Sequence, residues 1–348
     1  MPADINRSGF AGHPSGLVTL FFTELWERFS YYGMRAILVL YMVTVPTAGG
    51  LGFDTKHASS IYGTYTMCVW LATVPGGFIA DRWLGARFSV LIGGIVIACG
   101  HYCMVLADLP FFYAGLALIA SGTGLLKPNI STLVGSLYEA NDPRRDSGFS
   151  LFYMGINVGA MLAPLVCGYL AQSDSFKALL TSWGFDPTYA WHWGFGAAGV
   201  GMTLGLIVFL AQRRRIGHIG DRLIVKPPGK SSSEHTSALT GKEWKRVLAI
   251  FIFFLFTIFF WAAYEQKGAS LNLFALKLVR TEVFGWKFPS SWLQSLTAFF
   301  VILLAPIFSM IWVRMGDRQP SSPAKFTLGL FFITLAYALL IPACAMTA

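Results

Sequence analysis

Apolar residues run along this chain in blocks of about twenty, each closed by a short polar break. The blocks lie near 17–45, 61–80, 88–107, 110–137, 149–172, 193–212, 247–274, 293–313 and 326–346. A helix rises about 1.5 Å per residue, so twenty apolar residues cross roughly 30 Å of hydrocarbon. The pattern predicts an all-α integral membrane protein with nine transmembrane helices. One stretch interrupts the rhythm. Residues 213–246 are polar and basic, contain Pro-Pro-Gly and Ser-Ser-Ser, and read as a linker. The predicted organisation is an N-terminal tail over 1–16, a six-helix bundle over 17–212, the linker, and a partial bundle of three helices over 247–348.

Composition strengthens this reading. Hydrophobic residues make up 55% of 348 and charged residues 12%, against about 25% charged in soluble domains. The net charge of +9 points to nucleic acid only if its distribution is ignored. With the N-terminus in the cytoplasm, the inner segments 81–87, 138–148, 213–246 and 314–325 hold sixteen Lys and Arg. The outer segments 46–60, 173–192 and 265–292 hold six. That bias is the positive-inside signal and sets a multi-pass orientation in the cell (inner) membrane. The first block is too long and too charged for a cleavable signal peptide. All five cysteines fall within apolar blocks without metal-type spacing, so they read as buried thiols; neither metal nor cofactor is expected.

The first block carries an anomaly, "TELWERFSYYGMR" over 23–35. At about 100° per residue, Glu27, Arg28, Tyr31 and Arg35 fall within roughly 60° of Glu24, on one stripe. Each charge at bilayer depth costs about 2.5–3.5 kcal/mol, so four cost on the order of 10 kcal/mol. The stripe must face partners or water inside a bundle, and such residues mark a transport or proton pathway by default. An interfacial amphipathic helix and a purely structural ion-pair network are the competing readings. Lys127 in "SGTGLLKPNISTLVG" is a matching embedded charge. Pro128 cannot donate to the Gly124 carbonyl, which predicts a free acceptor and a kink. Asn157 in the fifth block, and Trp261 and Glu265 four apart in the seventh, add an amide, an aromatic and an acid. Taken singly, Asn157 reads as an interhelical hydrogen bond and Trp261 as packing.

Six helices, a basic loop and more helices form the layout of major-facilitator carriers. "GGFIADRWLGAR" over 76–87 resembles that superfamily's helix 2–3 loop, at Asp81, Arg82, Gly85 and Arg87. Glu24-Leu-Trp-Glu27-Arg28-Phe29-Ser-Tyr31-Tyr32-Gly33 resembles the ExxERFxYYG signature of the proton-dependent oligopeptide transporters within it. "LLKPNIS", "YMGINVGA", "FWAAYEQKGASLNLFA" and "WLQSLTAFFVILLAP" are similar to its helices 4, 5, 7 and 8. The resemblance implies a symporter importing di- and tripeptides by alternating access, with the proton as coupling ion and no other cofactor.

By that resemblance Glu24, Glu27, Arg28 and Lys127 form the proton-responsive cluster. Arg28 and Lys127 would hold the peptide carboxylate, and Asn157 would contact the peptide near its amine end. Tyr31, Arg35, Trp261 and Glu265 would line or gate the site. Several positions depart from the family pattern. Thr297-Ala298 stands in place of Asn-Pro, Gly63 in place of a histidine, and Trp70 in place of a site-lining tyrosine. The family's helix 10 glutamate falls beyond Ala348, so the chain is expected to lack the last three of twelve helices and, so shortened, to transport poorly. Alternatives on the same scaffold are a nitrate or amino-acid-conjugate carrier and a nontransporting peptide sensor. An enzyme is disfavoured, since HExxH, GxSxG and paired intramembrane aspartates are absent.

Overall fold

The computed structural model describes residues 12–139, 141–221 and 241–345. The helices in chain order are α1 (Ser15–Val43), α2 (Thr55–Leu71), α3 (Thr73–Ile79), α4 (Ala86–Cys103), α5 (Leu109–Ser136), α6 (Arg145–Gln172), α7 (Asp174–Ser182), α8 (Ala190–Ala211) and α9 (Arg213–Ile216). They continue with α10 (Gly241–Tyr264), α11 (Ser270–Leu278), a short hairpin of β1 (Glu282–Val283) and β2 (Trp286–Lys287), α12 (Ser295–Met315) and α13 (Ser322–Ala345). Among the described residues, seven helical stretches are long and apolar enough to cross a membrane. The charged α1 and the interrupted α2–α3 are not among them.

The chain divides into two compact units, Met1–Leu223 with Asn272–Pro306, and Ile224–Leu271 with Ile307–Ala348. In the first unit α1 packs on α6 and α8, and α4 on α5 and α8. Their facing side chains form one core that includes Leu20, Leu126, Leu133, Val134 and Met202. Within the second unit α10 meets α13 through Phe253 and Phe260 on Phe326, and Tyr337 donates to the Ala263 carbonyl at 2.8 Å.

The second apolar block is not one helix. Its N-terminus lies at Thr55, earlier than apolarity suggests, because Asp54 caps it by accepting the His57 N–H at 2.9 Å. It breaks at Ala72, since Pro75 cannot donate to the Leu71 carbonyl. It then ends in a wide π turn over Ala80–Leu84. Pro128, by contrast, sits inside an uninterrupted α5. The Gly124 carbonyl that it leaves without a helical donor is where α3 crosses. A Cβ at Gly76 would stand 2.0 Å from that oxygen, and one at Gly124 would stand 2.5 Å from the Ala72 oxygen. Only glycine permits this approach. Gly76→Ala is expected to cost at least about 1–3 kcal/mol, the usual range for overpacking. It should lower the thermal midpoint of the purified protein. Gly77→Ala, at a position with open space around its Cβ, should leave that midpoint in place.

The start of the basic segment is folded rather than loose. Ile216 is buried in the first unit's core. Arg87 donates from its backbone to Gly220 at 3.0 Å, from its side chain to the Gly217 carbonyl, and pairs with Asp221 at 3.4 Å. Residues 222–240 of the expected linker, like 1–11 of the expected tail, lie outside the described residues. In the α5–α6 connection Arg144 grips Asp142 at 2.7 Å and donates to the Gly12 carbonyl at 2.8 Å. That grip holds the Asp142 carboxyl down at about 2. A depressed acid stabilises the fold above its ordinary pKa and loses that contribution as pH falls through the lowered value. The pair is therefore expected to survive at pH 4. An infrared carboxylic-acid band that Asp142→Asn removes should grow in only near pH 2.

The expectation that all five cysteines are buried is corrected. Only Cys167 is; Cys68, Cys99 and Cys344 lie on helix surfaces, where the apolar surroundings are the bilayer rather than a protein core.

Candidate functional site

The charged stripe of α1 is turned inward. Glu24, Glu27, Arg28 and Arg35 are each 3% exposed or less. Four charges are kept out of lipid by the helices packed around them, chiefly α6. Its Gly159 presses on the charged turn so closely that a Cβ there would lie 2.2 Å from the Leu25 oxygen and 3.2 Å from the Arg28 Cβ.

Two carboxylates compete for one guanidinium. Arg28 makes a two-pronged contact with Glu27, Nη2 to Oε1 at 2.7 Å and Nε to Oε2, the geometry that suits a planar fork. The same Nε lies 3.1 Å from Glu24 Oε1. Glu24 Oε2 is buried without a hydrogen-bond partner among the described residues. Arg28 also stands over the Tyr31 ring at 5.2 Å, and Arg35 faces the same ring at 5.9 Å. Arg35 donates from Nε to the Tyr62 hydroxyl and lies 5.4 Å from that ring. A continuous line of acids, cations and phenols thus runs from Glu24 to α2.

Lys127 stands nearby on α5, half-buried, with Nζ 3.6 Å from the centroid of the Trp70 ring. An ammonium over an indole face is a favourable cation–π arrangement. Its charge is close enough to act on Glu24. The structure thus brings Glu24, Glu27, Arg28, Tyr31, Arg35, Trp70 and Lys127 into one neighbourhood. Asn157 is buried on α6, on the face opposite Gly155 and Gly159, and its amide donates to the Tyr153 carbonyl of its own helix at 2.9 Å. Thr297 is half-buried in the first turn of α12. That turn is fixed to α6 by Ser295 Oγ donating to the Met161 carbonyl at 2.7 Å. Trp261 and Glu265 belong to the second unit, at the end of α10 where the α-helix tightens into a 3-10 turn over Glu265–Gly268.

Sequence reasoning passed over Tyr62 and Tyr65. Both are buried, and the Tyr65 hydroxyl has no hydrogen-bond partner among the described residues. The signal was present: two phenols three apart on the face of α2 that also carries Ala58, Thr66 and Val69.

With the geometry in place, likeness to known proteins decides the family. The POT family model matches residues 87–222 and 225–343. The chain belongs to the POT family. An uncharacterized transporter of Bacillus subtilis (strain 168), YclF, is 40% identical over 97% of this chain and 75% of its own length. A peptide transporter of Yersinia enterocolitica, YePEPT, is 36% identical over 95% of this chain and 74% of its own. A crystallised peptide transporter POT mutant in complex with alafosfalin is 39% identical and superposes with a TM-score of 0.85, covering 98% of this chain and 76% of that one. A POT family transporter in complex with 5-aminolevulinic acid is 31% identical, TM-score 0.77, covering 97% of this chain and 78% of that one. These POT relatives are transporters, not enzymes. With several apolar helices, this POT chain is a multi-pass membrane protein.

Proposed function

We propose that this POT-family chain is a proton-coupled symporter that imports di- and tripeptides by alternating access. It would sit in the cell (inner) membrane with a cytoplasmic N-terminus, α1 and α2–α3 joining the seven apolar stretches as spans. Support for the substrate class comes from relatives named for peptide and di-/tripeptide transport. Support for coupling comes from one observation: two buried carboxylates share a single guanidinium, and one carboxylate oxygen is left over.

The chemistry runs from that arrangement. A buried cation released from its acids must find another anion. A proton placed on Glu24 Oε2 cancels one carboxylate, loosens the hold on Arg28 and leaves Lys127 with less to answer. Arg28 and Lys127 then face a peptide carboxylate. Tyr31, Arg35 and Trp70 line the space beside them, and Asn157 and Thr297 contact the peptide amides or amine. Loss of the proton to the cytoplasm restores the acid–guanidinium contacts and expels the peptide. Each net charge moved inward gains about 2.3 kcal/mol per 100 mV of membrane potential.

The test is competition for labelled dialanine uptake in proteoliposomes. Unlabelled dialanine should compete fully, N-acetyl and C-amide forms weakly, and nitrate not at all. Absence of saturable dialanine uptake, with labelled nitrate accumulated instead, would move the chain to the alternative solute class. Orientation is separable. A cysteine placed at Ser232, outside the described residues, should react with an impermeant maleimide only after sealed, right-side-out membranes are opened. Reaction from outside reverses the topology.

A further inference from the structure

We propose that the first unit carries a built site for one phospholipid acyl chain, in the leaflet adjoining the α6–α8 connection. The observation is a lateral cavity of about 1030 Å³ between α1, α4, α6, α7 and α8. It is separate from the charged stripe, which is buried on another face of α1. Its residues on α1 are Trp26 and Phe29.

The cavity is graded from end to end as a lipid is. At the connection it is rimmed by Trp183, Phe185, Tyr189 and Trp193, all large and exposed. Amphipathic aromatics of this kind settle at the headgroup level. Deeper in, Leu162, Val166, Val200 and Leu204 leave only hydrocarbon walls. From Tyr189 to Leu204 the cavity follows α8 for about 22 Å at 1.5 Å per residue. Half the hydrocarbon core is about 15 Å, so the cavity spans one leaflet and its interface.

The walls also exclude water. Polar groups in the lining are engaged by protein partners: His192 Nδ1 meets the Met104 carbonyl at 3.0 Å, and the Tyr102 hydroxyl meets Thr203 Oγ1 at 2.8 Å. An apolar cavity stays dry, and an unfilled one forfeits dispersion contacts along its whole lining. In a bilayer the apolar matter at its mouth is an acyl chain. The floor is made of small residues, Gly196, Ala197 and Gly201. Gly196 and Ala197 leave room that larger side chains would fill, whereas Gly201 is closed against Phe29, where a Cβ would lie 2.5 Å from the ring.

The test uses the protein in phosphatidylcholine vesicles doped with a phosphatidylcholine bearing a mid-chain diazirine. After illumination, label should concentrate on segments 162–170 and 193–204, roughly fivefold above the outward face of α4 at Phe88 and Ile95, a modest preference on the affinity scale. Ala197→Trp, and separately Val200→Trp in case the first does not fold, should bring those segments down to the α4 level without changing α4 labelling. Uniform labelling overturns the proposal. So does concentrated label that neither filling substitution removes. Transport need not be measured, so the result stands apart from the fate of the peptide reading.

Discussion

Glu27→Gln is expected to abolish proton-driven dialanine accumulation while sparing exchange of labelled for unlabelled dialanine. The amide keeps the shape of the carboxylate but loses the charge that grips Arg28 with two contacts, one of them at 2.7 Å. Arg28 is then left to Glu24 alone, which stays ionised and no longer takes the coupling proton. Hydrogen bonds to charged groups are worth about 1.5–3 kcal/mol, so driven uptake should fall roughly ten- to a hundredfold. Counterflow moves no net proton and should stay within about threefold by the same scale. Because Glu27 is fully buried, the purified variant's thermal midpoint must be measured alongside. Equal loss of both transport modes in a well-folded variant would make Glu27 a structural or peptide-contacting residue.

Lys127→Ala is expected to separate substrates by their C-terminal charge. The ammonium rests on the Trp70 face and is the cation best placed on α5 to receive a carboxylate. Removing it should weaken dialanine by roughly ten- to a hundredfold, the value of a charged hydrogen bond. The C-terminal amide, already deprived of that contact, should change by less than about threefold. Inhibition constants against labelled dialanine exchange give both numbers. Parallel losses would remove Lys127 from the carboxylate site.

Most of the membrane architecture was readable because its cause is one-dimensional. Blocks of apolar residues must be helical to satisfy their backbone in lipid, and α4, α5, α6 and α8 lie where those blocks lie. The inward stripe of α1 was equally readable, since the cost of four charges in lipid leaves few other places for it. What was missed depends on contacts between elements. Asp54 sets the start of α2 through a cap, and Pro75 divides it, neither of which changes hydropathy. The interfacial helix α7 is short and amphipathic, with Phe176 and Leu180 its only buried residues, so it passed for a loop. Ile216 and Arg87 anchor the start of a segment whose composition reads as a free linker. Pro128 leaves α5 a single helix, and the place where α3 fits against it, at Gly76 and Gly124, was not legible in the sequence.

In the site, residue types were legible and partnerships were not. Periodicity placed Glu24, Glu27 and Arg28 together, yet only the folded geometry shows Glu27 holding Arg28 by two contacts and Glu24 by one. Trp70 looked like a departure from the family pattern, whereas the fold makes it the surface on which Lys127 rests. Tyr62 and Tyr65 went unnoticed because a phenol in an apolar helix reads as packing until Arg35 is found against it.

The most direct test of proton-coupled peptide symport uses proteoliposomes loaded with a fluorescent pH indicator and held at an inside-negative potential. Adding dialanine should acidify the lumen at once, with Glu27→Gln vesicles showing no such change. Dialanine entry, followed by radiolabel, without any lumenal acidification would contradict the account.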